Sequence, residues 1–139
     1  MFKKSITKLI VCDMTGTIIQ DKHIVYKTLY NTIKLVKPDI NINEINKYHG
    51  YNKSNVIKYY IDKLNVMNPR NLQINLENEF NKCLKNEYKT NPDVKLIHPR
   101  IPELFNDIRN KGTKIALNTG YNKEIQELLI DKCNLTNYI

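Results

Sequence analysis

The chain has 139 residues, no Trp and a formal net charge of +8. That is the length of one ordinary domain, and with a mean hydropathy of −0.52 it can bury only a modest core. The positive charge does not point to nucleic acid. Lys is scattered along the whole chain, while Arg occurs only at Arg70, Arg100 and Arg109, with no Arg-rich run and no basic patch interleaved with aromatics. Asn, Ile and Lys are each present at about twenty copies, far above ordinary usage. They share AT-rich codons, so the bias reads as genomic composition rather than function. Cys12, Cys83 and Cys133 form no C-x-x-C pair and no Cys/His ligand cluster, which suggests reduced thiols in a cytoplasmic compartment. The apolar stretch from Ile6 to Cys12 is interrupted by Lys8 and is too short to span a membrane.

In chain order, Ser5 to Cys12 reads as a first, buried strand. It runs into Asp13 and a Thr15-Gly16-Thr17 turn, followed by a short extended piece, Thr17-Ile18-Ile19. From about Val25 the apolar positions Val25, Leu29, Ile33 and Val36 have helical spacing, and Pro38 follows the end. Ile42, Ile45 and Tyr48 predict a second, shorter helix ending at Gly50. Asn52 or Ser54 can cap a third, which carries Val56, Ile57, Tyr60, Ile61 and Leu64 on one face. Asn68-Pro69 breaks it. Leu72, Leu76, Phe80, Cys83, Leu84 and Tyr88 trace a long amphipathic helix.

Ile97 to Pro102 reads as a linker, with Pro102 suited to a helix start. Leu104, Phe105 and Ile108 lead to Lys111-Gly112, a basic last turn with a terminal glycine. Lys114 to Leu117 is a second buried strand, ending at Asn118-Thr119-Gly120. A last helix runs from about Lys123 to Asp131. The order, strand, four helices, then helix, strand and helix, predicts an α/β fold with a block of four helices inserted after the first strand.

Asp13 is the residue most clearly placed for chemistry. In open α/β sheets, ligands bind just outside the carboxyl ends of the strands. A carboxylate there can attack phosphorus and form an aspartyl-phosphate. Asn118-Thr119-Gly120 closes the second strand in a similar way, with a hydroxyl beside a glycine.

The two strand-end loops, Asp13-Met14-Thr15-Gly16-Thr17 and Asn118-Thr119-Gly120, are separated by a helical insert. Together they resemble motifs I and II of the haloacid dehalogenase (HAD) superfamily, the insert lying where a C1 cap lies. Asp13-Met14-x-Gly16-Thr17, the stretch Lys114 to Tyr121, and the loop Gly50-Tyr51-Asn52-Lys53 followed by Val56-Ile57 are most similar to the phosphonatase branch, around phosphonoacetaldehyde hydrolase. The resemblance implies an incomplete HAD-type Rossmann-like parallel sheet built from residues 1–19 and 96–139, with a helical cap over residues 20–95. It implies a hydrolase acting on a small phosphorylated or phosphonylated metabolite, with no nucleic acid or membrane as partner.

On that resemblance Asp13 is the nucleophile. The Asp13 carboxylate and the Thr15 carbonyl are ligands of Mg²⁺, and Thr119, Gly120 and Asn118 hold the phosphoryl group. The amides of Met14, Gly16 and Thr17 are candidates to face the phosphate. Lys53 is a Schiff-base lysine, a substrate-binding lysine, or a solvated loop lysine. His49 and Tyr121 either border the site or serve packing. His23 and His98 lack metal-ligand spacing.

There are two departures from the pattern. Most HAD phosphatases carry an Asp two residues after the nucleophile, as general acid and base. Here that position is Thr15, as in the D-K-T-G-T of P-type ATPases, whose aspartyl-phosphate is longer-lived. And the Lys of motif III and the acidic pair of motif IV are missing: after Asp131 only Lys132 to Ile139 remain, and Lys132 precedes the place of a third strand. The expectation is therefore a C-terminally truncated HAD chain that turns over slowly. It would carry an open apolar edge on its first strand, to be covered by self-association or by a partner. The alternative is an inactive HAD fragment serving as a binding or partner-recruiting module.

Overall fold

The structure, a computed structural model, describes residues 8–139. In chain order the elements are β1 (Leu9–Asp13), β2 (Ile19–Gln20), α1 (Ile24–Lys34), α2 (Ile42–Asn46), α3 (Lys53–Asp62), α4 (Pro69–Thr90), β3 (Lys95–Leu96), α5 (Ile101–Asn110), β4 (Lys114–Asn118) and α6 (Lys123–Lys132). They fall into two compact units. One takes the chain up to Lys22 and resumes over Asn91–Ile139; the other is His23–Thr90.

In the first unit β1 and β4 pair in parallel, from Leu9 opposite Lys114 to Asp13 opposite Asn118. Parallel neighbours need a long crossover between them, and α5 ends that crossover by packing against β4. Pro102 stands in the first turn of α5, where its missing N–H costs nothing. At the other end Gly112 takes a φ of +81° and donates its N–H to the Arg109 carbonyl at 2.8 Å, the left-handed terminus that glycine favours. Phe105, Ile115, Ile125, Leu129 and Leu135 are buried. The portion of the predicted first strand before Lys8 lies outside the described residues.

The strand assignments hold, but the expected burial of β1 does not. Leu9 is 52% and Val11 57% exposed, because among the described residues the sheet contains only β1 and β4 and no described element covers that face. A run of apolar residues predicts a strand from its pattern, but only its neighbours decide whether it is covered. A second difference is the antiparallel ribbon of β2 and β3, which pairs Ile19 with Leu96 and Gln20 with Lys95. It draws its second strand from just before the segment read as a linker. The ion pair of Lys22 with Asp93 at 2.9 Å extends this tie.

In the helical unit α1 packs on α4, α2 and α3, and α3 packs on α4. Of the predicted stripes, Val25, Leu29 and Ile33 on α1, Val56, Ile57, Tyr60 and Ile61 on α3, and Leu76, Phe80, Leu84 and Tyr88 on α4 are buried, while Leu72 and Cys83 are half-buried and Val36 and Leu64, also half-buried, lie past the ends of α1 and α3. Buried Thr32 satisfies its hydroxyl on the Thr28 carbonyl at 2.9 Å. Asn52, not Ser54, caps α3, accepting from the Asn55 N–H at 3.1 Å. Ser54 instead donates to Glu77. α3 ends at Asp62, before it reaches Asn68-Pro69, so that pair does not break it but starts α4, with Asn68 accepting from the Asn71 N–H at 3.2 Å.

Leu84 is 1% exposed on the helix that contacts both α1 and α3. Leu84→Ala is expected to lower the unfolding free energy by about 2–5 kcal/mol, measured by urea denaturation of the 139-residue chain.

Candidate active site

Both strands of the parallel pair end at the same level, with Asp13 directly opposite Asn118. The loops that follow therefore leave the same end of the sheet side by side, at the carboxyl edge where α/β folds bind ligands.

The first loop is organised by the Met14 carbonyl. It accepts from the N–H groups of Thr17 at 3.2 Å, Ile18 at 2.9 Å and Ile19 at 3.0 Å. Met14 itself is fully buried and anchors the turn. Gly16 has a φ of +86° and donates its N–H to the Ile19 carbonyl at 2.8 Å. This corrects one expectation: the Gly16 and Thr17 amides are used inside the turn rather than directed at a ligand. The turn returns the Thr17 hydroxyl to Asp13, donating to Oδ2 at 3.0 Å. Asp13 is exposed and half of its carboxylate is thereby oriented.

The second loop is shorter. The Tyr121 N–H donates to the Thr119 hydroxyl at 3.3 Å, and Asn122 caps α6 by accepting from the Ile125 N–H at 3.0 Å. Thr119 and Gly120 are thus held between the end of β4 and the N-terminus of α6, where the helix dipole favours negative charge. The two loops meet through their side chains: the hydroxyls of Thr15 and Tyr121 lie 3.3 Å apart. Asp13, Thr15, Asn118, Thr119 and Gly120 accordingly belong to one constellation, and Tyr121 joins it.

Lys53 belongs to the helical unit, at the start of α3. Its ammonium donates to the Tyr51 carbonyl at 2.6 Å and stands 4.8 Å from the centroid of the Tyr26 ring. Tyr26 in turn stacks on His49, with ring centroids 3.8 Å apart and planes at 8°. His23, Tyr26, Lys27, Ile42, Asn46 and His49 line an open cavity of about 400 Å³ in this unit. The stack unites residues from α1 and from the loop after α2, and no local sequence signal announces it. Nearby, Tyr48 is pushed up to about 12 by burial and then by its hydrogen bond with Tyr59. Among the described residues no group of three or more His, Cys, Asp or Glu side chains stands together.

A family model described as haloacid dehalogenase-like hydrolase matches residues 7–139. The chain belongs to this family. Solved structures of HAD proteins share its fold. A HAD hydrolase, family IA, variant 3, from Entamoeba histolytica superposes with a TM-score of 0.77 at 15% identity, covering 96% of this chain and 58% of that one. A mutant CbbY from Rhodobacter sphaeroides in complex with xylulose-(1,5)bisphosphate gives 0.70 at 14% identity, with 93% and 58% covered. A HAD family hydrolase from Deinococcus radiodurans with bound phosphate and sodium gives 0.53 at 18% identity, with 94% and 54% covered. The present HAD chain therefore spans a little over half the length of these structures. No curated protein matches the chain.

An added Cβ at Gly16 would meet nothing within 4 Å, so the cost of a side chain there is one of backbone alone. Gly16→Ala is expected to destabilise the fold by about 1–2 kcal/mol, read from a shift in the denaturation midpoint with an unchanged slope.

Proposed function

We propose that this HAD chain is built for phosphoryl transfer to Asp13 from a small phosphorylated or phosphonylated metabolite. The observation that carries the reading is the alignment of Asp13 with Asn118 at the carboxyl ends of adjacent parallel strands. Each is followed by a loop of hydroxyl and glycine residues, and the second loop opens into a helix N-terminus. An exposed carboxylate, oriented through one oxygen by Thr17, keeps lone pairs for attack and for a metal. Thr119 and the Gly120 amide, with Asn118 beside them, hold the phosphoryl oxygens against the positive end of α6. That a related fold binds xylulose-(1,5)bisphosphate and another binds phosphate supports this class of ligand.

The donor set fits Mg²⁺. The Asp13 carboxylate and the Thr15 carbonyl are hard oxygen ligands, and Mg²⁺ is commonly held by one or two protein oxygens together with substrate phosphate and water. When bound, Mg²⁺ neutralises charge on the phosphoryl group. The same sparse set, with no acidic cluster among the described residues, makes for weak binding. Thr15 cannot exchange protons at neutral pH as a carboxyl group does, so slow turnover or phosphonatase-like chemistry follows. A Schiff base at Lys53 requires its ammonium to lose both its proton and its hold on the Tyr51 carbonyl.

The experiment is Mg²⁺-dependent hydrolysis across a panel of small phosphate esters and phosphonates, with borohydride trapping of acyl phosphate and of Lys53 imines. Slow hydrolysis and a trapped acyl phosphate are expected, both reduced to background by Asp13→Asn. Turnover that survives Asp13→Asn overturns the reading. The second reading, a binding module, is favoured by the exposed Leu9 and Val11 of β1. It gains if no panel member yields trapped acyl phosphate while the chain self-associates in a manner abolished by Val11→Lys.

A further inference from the structure

The helical unit carries a hollow that the chemistry assigned to Asp13 leaves unused. Its volume is about 400 Å³, and His23, Tyr26, Lys27, Ile42, Asn46 and His49 line it. All six lie within His23–Thr90, so the lining comes from this unit alone. Its chemistry is one-sided. Two imidazoles, an ammonium, a phenol and an amide can each donate a hydrogen bond, and none of the six side chains is a carboxylate. Ile42 supplies one apolar wall. A further positive charge stands close by, the Lys53 ammonium lying 4.8 Å from the centroid of the Tyr26 ring.

The donors are held in place. His49 is stacked flat on Tyr26, and the Tyr26 hydroxyl accepts from the Gly50 N–H at 3.3 Å, which ties that ring to the segment carrying His49. The His23 ring centroid stands 5.7 Å from that of His49 and 6.3 Å from that of Tyr26. The His23 backbone is left-handed, at φ +62°, a conformation that residues with a Cβ adopt at a cost. A pair of imidazoles also suits a transition metal. Here Lys27 and Lys53 repel a cation, and among the described residues no group of three or more His, Cys, Asp or Glu side chains stands together. Fixed donors, positive charge and no carboxylate select for the opposite sign.

We propose that this hollow binds a small oxyanion, the phosphate or carboxylate group of a metabolite, between His23, Lys27 and His49. The two imidazoles donate to its oxygens, Lys27 supplies charge, the Asn46 amide adds a neutral donor, and Ile42 meets the apolar part of the ligand. The site is separate from the phosphoryl site assigned to Asp13 and does not depend on that assignment.

The histidines themselves report on it. His98 lies in the other unit, its Nδ1 accepting from the Arg100 N–H at 3.2 Å, and serves as an internal reference. The 139-residue chain is titrated with inorganic phosphate, and separately with acetate, at constant pH and ionic strength, while the imidazole nitrogen resonances are followed by NMR. His23 and His49 are expected to shift along one isotherm and His98 to stay in place. The tighter of the two anions shows whether the ligand carries a phosphate or a carboxylate. Lys27→Met, and His49→Phe, which keeps a ring to stack on Tyr26, should each weaken the binding seen at His23 by about 10-fold or more, as expected for the loss of a hydrogen bond to a charged group. Circular dichroism checks folding; if His49→Phe does not fold, Lys27→Met decides. If neither anion moves His23 and His49, the proposal fails. It fails equally if His23 shifts with unchanged affinity in the folded variants, which places the anion elsewhere, or if Zn²⁺ moves both imidazoles and the anions do not.

Discussion

The parallel register of two five-residue strands is the constraint on which the rest of the first unit depends. With Asp13 opposite Asn118, two loops distant in sequence begin at one level and can share a ligand. A slip of one residue would turn every side chain of a strand to the opposite face and would separate Asp13 from the Thr119-Gly120 loop. The Met14 carbonyl then folds the first loop tightly enough for Thr17 to reach back to Oδ2 of Asp13. Capping by Asn122 begins α6 immediately after the second loop. Register, turn and cap are separate local devices, and together they assemble one polar constellation at the sheet edge.

That constellation was only partly legible in the sequence. Asp13, Asn118, Thr119 and Gly120 could be found because apolar runs ending in a polar, glycine-containing turn mark the carboxyl ends of strands, and two such ends in order resemble a known family. Gly16 was legible for the same reason, since the turn after Asp13 demands a residue tolerant of positive φ. Tyr121 was legible only as a residue beside a motif, bordering the site or serving packing. Its bond to Thr15 depends on how two strands are aligned, and nothing local to either loop encodes it. The use of the Gly16 and Thr17 amides within the turn was likewise hidden, because an amide's partner is a property of the folded loop.

The helices were the most readable part. Their buried stripes follow the 3.6-residue period, and Asn52 occupies a position where an amide oxygen can satisfy an orphan N–H. The strands were less so. Two-residue β2 and β3 are too short to show any period. β1 shows apolar character without showing that Leu9 and Val11 meet solvent, because burial is decided by what packs alongside.

The pairing of β2 with β3 bears on how such a chain folds. The first unit is discontinuous, and its sheet joins residues on opposite sides of the whole helical segment. Closing a loop of that length from an extended chain carries a substantial entropic penalty. Within the helical segment, however, the first helix packs against the last, so its own folding draws its two ends together. The ribbon and the Lys22–Asp93 ion pair then have only a short gap to bridge. Local helix formation thereby shortens the effective contact order of the parallel sheet, and early helical assembly followed by strand pairing becomes the kinetically economical route.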